Sequence, residues 1–248
     1  MKFHVLASGS KGNCTLITSG DSSLIIDCGS TQRYLKQRFR ELGFDWLTAD
    51  ALLITHEHVD HIKQLRMFTQ LNIYSPCLLP GEDIRMVEPY EPFKIGCFTI
   101  LPIPLSHDCE DTVGYIIHDG QQTLAYVTDT GYLSHSNEEL IRDADYYIFE
   151  SNYDLVMLMT SSRPPYLKAR INSDYGHMEN GDCAAVLADV IGEHTREIVL
   201  AHLSEECNKP ELALRALMNK LQERQIDVSA IRIHAAEQFG LYSGGNDQ

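Results

Sequence analysis

One short stretch of the chain concentrates side chains that bind metals. Three histidines and one aspartate fall within six residues, His56 to His61, directly after the apolar run Ala51–Thr55. Imidazole nitrogens and carboxylate oxygens are ligands for Zn²⁺, Mn²⁺ and Fe²⁺. On a loop that leaves the end of a strand, this spacing lets alternate side chains converge on two neighbouring points. The stretch therefore predicts a metal site rather than a solvated, histidine-rich loop.

Further potential ligands stand at the ends of three other strand-like segments. They are His107, Asp129 and His202, each preceded by a short run of β-branched and aliphatic residues. Strand ends that open on one rim are where α/β folds build their sites. Seven candidate ligands suit two metals, and the sequence suggests a division between them. We expect His56, His58 and His107 on the first metal, Asp60, His61 and His202 on the second, and Asp129 as the bridge.

The pattern His-x-His-x-Asp-His at residues 56–61 resembles the signature of the metallo-β-lactamase superfamily, and the resemblance extends over nearly the whole chain. Within that superfamily, several other stretches resemble the small YycJ/VicX-type (WalJ-like) proteins: Ala7–Asn13, Ser106–Asp108, Thr128–Tyr132, Phe149–Asn152 and Leu200–Glu205. The resemblance implies an α/β fold, a four-layered αββα sandwich, with the site on one rim between two sheets. Because such a sandwich uses about this length of chain, we expect a single domain over residues 1–248.

The ligand set indicates hydrolysis. Two adjacent divalent cations lower the pKa of water and make a nucleophile available at neutral pH. Oxygen-reducing members of the superfamily usually carry Glu where His58 stands, so His58 argues against that branch. The second carboxylate oxygen of Asp60 could hold the attacking water, or Asp60 could be a ligand only. We expect two divalent ions, Zn or Mn, with Fe also compatible.

The order of Glu150 and His177 ahead of His202 favours phosphodiesters as substrates. It resembles the tRNA-processing members of the superfamily, in which such a Glu and His hand a proton to the leaving group. An alkoxide leaving group needs an acid. His177 would supply it or grip the phosphate, with Glu150 orienting His177 or another ligand. The competing interpretation makes His177 a residue at a helix start and Glu150 a plain carboxylate at a strand end.

The resemblance to YycJ-type proteins implies a more specific activity, a 5′-to-3′ exonuclease that prefers single-stranded or recessed ends of DNA or RNA. The segment between Glu150 and His177 contains positive charges that could neutralise phosphates and an aromatic ring on which a base could stack, as a single strand entering the site would need. The residues are Arg163, Tyr166, Lys168 and Arg170. A solvated, charged turn explains them equally well. Lys11 is another potential phosphate contact. Its neighbours Gly9 and Gly12 either let backbone amides approach a ligand or form a tight β-turn.

Two other functions use the same fold. A small-molecule hydrolase of the lactonase or hydroxyacylglutathione type would cleave an ester, thioester or lactone with the same metals, but it would not need the arrangement of Glu150 and His177. A non-catalytic regulatory module would keep the fold alone. The presence of a suitable ligand at all seven positions argues against that module.

Composition agrees with a cytoplasmic enzyme. The net charge of -15 argues against tight, non-specific binding of duplexes, although it allows a nuclease that grips a few phosphates. No apolar run approaches the ~18–20 residues that a membrane helix needs, and the N-terminus lacks the pattern of a signal peptide. The 7 cysteines are scattered without a Cys-x-x-Cys pair, which favours reduced thiols. We expect no membrane partner.

Two β-rich halves, each followed by helices, must position these residues. Alternating and apolar runs predict strands at Lys2–Leu6, Cys14–Thr18, Ser22–Asp27, Ala51–Thr55, Phe98–Ile103, Val113–His118, Thr123–Thr128, Tyr146–Phe149, Glu197–Ala201 and Ile231–Ala235. Capping residues and periodicity predict helices from Thr31 to about Leu42, from Asp60 or His61 toward Leu71, after Asn137, over Asp182–Gly192 and over Pro210–Gln225. The segment Leu155–Ile171 is predicted to be less regular.

Overall fold

Two seven-stranded sheets form the middle of the computed structural model, which describes residues 1–79 and 81–246. The first sheet contains β1 (Lys2–Ala7), β2 (Cys14–Ser19), β3 (Ser22–Ile26), β4 (Ala51–Leu53), β5 (Asn72–Ser75), β6 (Ile84–Met86) and β14 (Tyr242–Gly245). The second contains β7 (Phe93–Ile95), β8 (Phe98–Pro104), β9 (Val113–His118), β10 (Thr123–Val127), β11 (Tyr146–Glu150), β12 (Glu197–Ala201) and β13 (Arg232–Ala235). Pro80 and residues 247–248 of the predicted domain lie outside the described residues.

Strand order within each sheet largely follows the chain. In the first sheet it is β14-β1-β2-β3-β4-β5-β6, and in the second it is β13-β12-β11-β10-β9-β8-β7. The strands from β3 to β6 run parallel, and so do those from β10 to β13. Since β8 and β10 both pair antiparallel with β9, they also share a direction. The carboxyl ends of β8, β10, β11 and β12 therefore meet at one edge of their sheet.

Helices cover the outer faces of the two sheets. They are α1 (Gln32–Glu41), α2 (Val59–Ile62), α3 (His135–Ile141), α4 (Leu155–Thr160), α5 (Pro165–Ile171), α6 (Asn180–Val190) and α7 (Pro210–Glu223). Leu35 and Phe39 of α1 pack on the first sheet, while Leu187 of α6 and Leu217 of α7 pack on the second. A third apolar layer joins the sheets themselves. Three layers of buried side chains between four layers of backbone make the αββα sandwich, so the expected fold class is confirmed.

Three predictions about local structure are wrong. Asn137, predicted as the cap of a helix, lies inside α3, and its amide donates to the residue that caps this helix, Ser134. The helix expected from residue 60 toward Leu71 is a single turn, α2, followed by a 3-10 turn over Leu65–Met67. The chain leaves the helix because the amide of Gln64 donates to the carbonyl of Cys28 at 2.9 Å instead of continuing the helical ladder. Residues 155–171 are not irregular but form α4 and α5. Asp154 caps the first by accepting from the Met157 amide, and a proline at its first position starts the second.

Among the described residues, no helix is both long and apolar enough to cross a membrane. All seven cysteines are free thiols, and four of them are buried: Cys14, Cys28, Cys183 and Cys207. The fold is therefore held by packing and hydrogen bonds rather than by disulfides.

Candidate metal centre

The seven predicted ligands converge on one rim, where the loops after β4, β8, β10 and β12 meet. Two groups of three have ligand atoms within 4.8 Å of one another. We call them the first triad (His56, His58, His107) and the second triad (Asp60, His61, His202). Asp129 forms a further group with His56 and His61, one member of each triad, and so lies between the two. A fourth group joins Asp129 and His202 to Glu150 and His177. The cluster is compatible with two metal ions, and the division of the seven ligands between them stays a prediction.

Several buried atoms at this place lack the partners that they need. Within the described residues, His56 Nε2, Asp129 Oδ2 and His202 Nε2 are buried and accept or donate no hydrogen bond. Unpaired buried polar atoms are costly and rare in folded proteins. Bound cations would satisfy these three atoms, since all three belong to imidazole or carboxylate groups. The donor set suits zinc, manganese or iron rather than a hard, all-oxygen ion such as calcium.

Asp27, fully buried just after β3, orients histidines of both triads. One carboxylate oxygen accepts from Nδ1 of His61 at 2.8 Å, and the other accepts from the Thr55 amide at 2.9 Å. The hydroxyl of Thr55 donates to the same carboxylate and lies 3.0 Å from Nδ1 of His56. Because both Nδ1 atoms are engaged, the Nε2 atoms are left for ligation. Sequence reasoning missed Asp27, because only the pairing of β3 with β4 brings it to Thr55 and His61.

Glu150, at the end of β11 and fully buried, joins the second triad to a histidine outside both triads. Its Oε1 accepts from Nδ1 of His177 at 2.8 Å and from Nδ1 of His202 at 3.0 Å. Its Oε2 accepts from the Thr130 amide at 2.7 Å, in the loop that carries Asp129. One carboxylate therefore fixes two imidazoles and the neighbouring loop at once.

Two asparagines that sequence reasoning missed also contact the site. The side-chain nitrogen of Asn13 lies 2.9 Å from His61 Nε2 and would give up this contact to a metal bound there, whereas that of Asn152 donates to the carbonyl of His202 at 2.7 Å. The glycine-rich turn before Asn13 uses its amides internally: the Gly9 amide donates to the Asn13 side chain and the Gly12 amide to the Gly9 carbonyl. The structure thus favours the tight-turn interpretation of these glycines over the ligand-binding one.

Left-handed backbone turns three of these side chains into the rim. Asp27, Asp129 and His202 have φ angles of 58°, 62° and 55°. This conformation is sparsely populated by residues other than glycine, asparagine and aspartate, and costs ~1–2 kcal/mol elsewhere. At His202 the amide donates to the hydroxyl of Ser8 at 2.7 Å, across to the other sheet. Strain concentrated at strand ends that carry ligands is typical of functional sites.

Opposite charges balance one another within the cluster. Burial opposes ionisation of Asp129, but the His202 and His61 rings outweigh burial and hold the pKa of Asp129 well below its usual range. Burial also opposes protonation of His202, yet Asp129, Asp60 and Glu150 outweigh it and raise the pKa of His202 to about 10. At His56, burial lowers the pKa well below its usual value, and His61 adds to the effect. Asp129 is thus anionic, whereas the His202 ring would release its proton to bind a cation.

Two of the predicted substrate contacts border the centre. Arg163 and Arg170 line a cavity of about 160 Å³ together with His107 and His177; we call it the arginine pocket. Arg170 forms an ion pair with Asp108, the residue after His107. Arg163 likewise pairs with Glu206, with Nε 3.0 Å from the carboxylate.

The other three predicted contacts are engaged or placed elsewhere. Lys11 is exposed and forms an ion pair with Glu205, with Nζ 2.6 Å from the carboxylate. Lys168 donates from Nζ to carbonyls at the end of α4, at 2.6 and 2.7 Å. Tyr166 is 76% exposed on α5, and none of these three lines the arginine pocket.

Comparison with known proteins identifies relatives along the whole chain. Residues 23–203 match the model of the β-lactamase superfamily domain. The exodeoxyribonuclease YycJ of Bacillus anthracis is 32% identical, with 94% of each chain covered. The exodeoxyribonuclease WalJ of Streptococcus pneumoniae is 30% identical over 92% of this chain and 90% of its own.

Solved structures share the architecture. The metallo-β-lactamase fold protein YhfI of Bacillus subtilis superposes with a TM-score of 0.70 at 21% identity, covering 98% of this chain and 99% of that one. The family match and the YycJ and WalJ similarities span the loops that carry the two triads. The chain therefore belongs to the β-lactamase superfamily, with the metallo-β-lactamase fold.

Proposed function

We propose that the protein is a metal-dependent phosphodiesterase that degrades DNA or RNA, most specifically a 5′-to-3′ exonuclease. The observation that carries this proposal is the position of His177. It belongs to neither triad, yet its ring centroid lies 5.2 Å from that of His107 and 5.2 Å from that of His202. Glu150 holds it there through Nδ1. An acid beside the cluster is what an alkoxide leaving group requires, whereas a thiolate leaves without one.

The residues of the chain divide the chemistry among them. Divalent cations in such a site lower the pKa of water and stabilise negative charge that develops on a phosphate. We assign Asp60 to orient the attacking water as well as to serve as a ligand. In its imidazolium form, His177 donates Nδ1–H to Glu150 and carries a second proton on Nε2, which it gives to the departing oxygen. Arg163 and Arg170 of the arginine pocket neutralise the phosphate.

Other observations support the finer points of the proposal. The names of the YycJ and WalJ relatives favour DNA as the substrate. Histidine and carboxylate donors suit zinc or manganese as the two ions. Seven free thiols suit a reducing compartment, and we propose the cytoplasm.

A product ladder tests the proposal. Purified protein would be loaded with zinc or with manganese and incubated with end-labelled single- and double-stranded DNA and RNA. We expect mononucleotides released from the 5′ end, fastest from single strands. Protein that holds two metals but cleaves no nucleic acid, while it hydrolyses a thioester or lactone efficiently, would refute the proposal in favour of a small-molecule hydrolase.

A further inference from the structure

A large cleft opens on the side of the centre where His107 lies. Its volume is about 820 Å³, and three tyrosines line it: Tyr90, Tyr132 and Tyr175. These side chains are 47%, 53% and 66% exposed. Among the described residues, no ring-to-ring contact involves any of the three. We call this feature the tyrosine cleft; its aromatic faces are open to a ligand.

The tyrosine cleft is continuous with the site. His107 and Asp108 line both this cleft and the arginine pocket, so the two cavities meet at a ligand of the first triad. Their charges differ. The arginine pocket holds Arg163 and Arg170, which pair with Glu206 and Asp108, whereas no lysine or arginine is among the described residues that line the cleft. A phosphate can replace these carboxylates on the guanidinium groups but finds no cation in the cleft, where Glu110 and Asp174 can accept hydrogen bonds from neutral amines.

The three tyrosines are anchored near the ligand loops. Tyr132 forms a β-bridge with Ser106, and its carbonyl accepts from Thr130 Oγ1 at 2.7 Å, in the loop of Asp129. The hydroxyl of Tyr90 donates to Asn137 Oδ1 at 3.1 Å. Tyr175 immediately precedes Gly176, whose carbonyl lies 3.0 Å from His107 Nδ1. The backbone at Tyr132 and Tyr175 is therefore tied to the loops of Asp129 and His107, which places a base on these rings beside the metal centre.

We propose that the tyrosine cleft binds unpaired nucleobases next to the scissile phosphate and sets a preference for single-stranded ends. This inference rests on the proposed function. A single strand is complementary to the two joined cavities, because it carries anionic phosphates on one side and flat, amine-bearing bases on the other. Stacking on tyrosine needs an exposed base face. Inside a duplex, both faces of a base are already stacked on the neighbouring bases. Because every base has such a face, the cleft accepts any sequence.

Binding is measured on metal-loaded protein with a single-stranded DNA that carries 2-aminopurine at its 5′ end and an uncleavable phosphonate in its terminal linkage. Stacking on tyrosine changes the fluorescence of 2-aminopurine. We expect saturable quenching with wild-type protein, and a Kd at least about fivefold weaker in Tyr132→Ala and in Tyr175→Ala, the lower end of what one lost stack costs. Tyr132→Phe and Tyr175→Phe, which keep the ring, should bind as wild type does. Leu47→Ala, which removes an exposed apolar side chain outside both cavities, serves as the surface control.

Turnover separates failure of this inference from failure of the proposed function. On a natural single strand, the alanine variants should lose at least about fivefold in kcat/KM. On a strand with an abasic 5′ residue, or on bis(p-nitrophenyl) phosphate, they should match wild type. Wild type could cleave natural single strands and strands with an abasic 5′ residue at the same rate, and show no quenching. In that case the cleft binds no base, although the proposed function stands. If wild type cleaves no phosphodiester, the proposed function fails, and the presence or absence of tyrosine-dependent quenching still decides whether the cleft binds bases.

Discussion

Asp27→Asn should weaken metal binding without disturbing the fold. The substitution keeps shape and size, and asparagine tolerates the left-handed backbone, φ 58°, that Asp27 adopts. What changes is hydrogen bonding. Asp27 accepts on both oxygens, from His61 Nδ1 and from Thr55. Asparagine has one oxygen and one NH₂ group. If the oxygen stays with the Thr55 amide, the NH₂ group faces His61 Nδ1.

The consequence is the wrong tautomer of His61. An NH₂ group beside Nδ1 favours the ring that carries its proton on Nε2, and a protonated Nε2 cannot bind a metal. Loss of such an orienting partner typically costs roughly 10–100-fold in metal affinity. We expect this loss mainly at the second triad, with a smaller effect at the first triad, since Thr55 still contacts His56 Nδ1. Thr55→Val, which removes that hydroxyl, should shift the larger loss to the first triad.

The assay measures the zinc affinity of each of the two sites by competition between the protein and a chelating dye. Wild type, Asp27→Asn, Thr55→Val and the conservative control Thr55→Ser would be titrated with zinc, and their thermal unfolding without metal compared. We expect Thr55→Ser to behave as wild type, because it keeps the hydroxyl. Asp27→Asn protein that binds both metals with wild-type affinity would refute the idea that this carboxylate selects the ligating tautomer.

Three further predictions follow from the same geometry. Asp129→Ala should lower metal content and abolish hydrolysis, since it removes the anion between two cations; two equivalents by elemental analysis with full turnover would contradict it. Glu150→Gln should both weaken chelator-resistant metal binding and slow phosphodiester cleavage, because Glu150 contacts His202 and His177; an effect on cleavage alone would show that its contact with His202 is dispensable. Gly29→Ala should destabilise the protein by about 1–3 kcal/mol, as a Cβ would lie 1.7 Å from the carbonyl oxygen of Asp60; an unchanged urea midpoint would argue otherwise.

The sequence was most informative where chemistry and periodicity coincide. Apolar runs that end in a histidine or an aspartate predicted the strands and the convergence of these side chains, because parallel strands bring their carboxyl ends to one edge. Thr31 as the cap of α1 was likewise predicted from local chemistry, and its side chain accepts from the Tyr34 amide.

What the sequence did not reveal depends on contacts between distant segments. The strands β5, β6 and β7 are three or four residues long, too short for a periodic signal. The helix expected after His61 stops because Gln64 finds Cys28, a partner that no local pattern predicts. Asp27 and Asn13 are common residues of turns and strand ends, and only the pairing of β3 with β4 and the turn after β1 reveal that they hold His61.

The most direct test of the account compares leaving groups in His177→Ala. If His177 is the proton donor, the variant should slow cleavage of a natural phosphodiester by roughly 10²-fold or more, within the usual range for general acid catalysis. It should slow bis(p-nitrophenyl) phosphate much less, because nitrophenolate leaves without a proton. Two metals should remain bound, since the variant keeps both triads and Asp129. Equal slowing of both substrates would show that His177 grips the phosphate instead, and full activity on both with two metals bound would contradict the central claim.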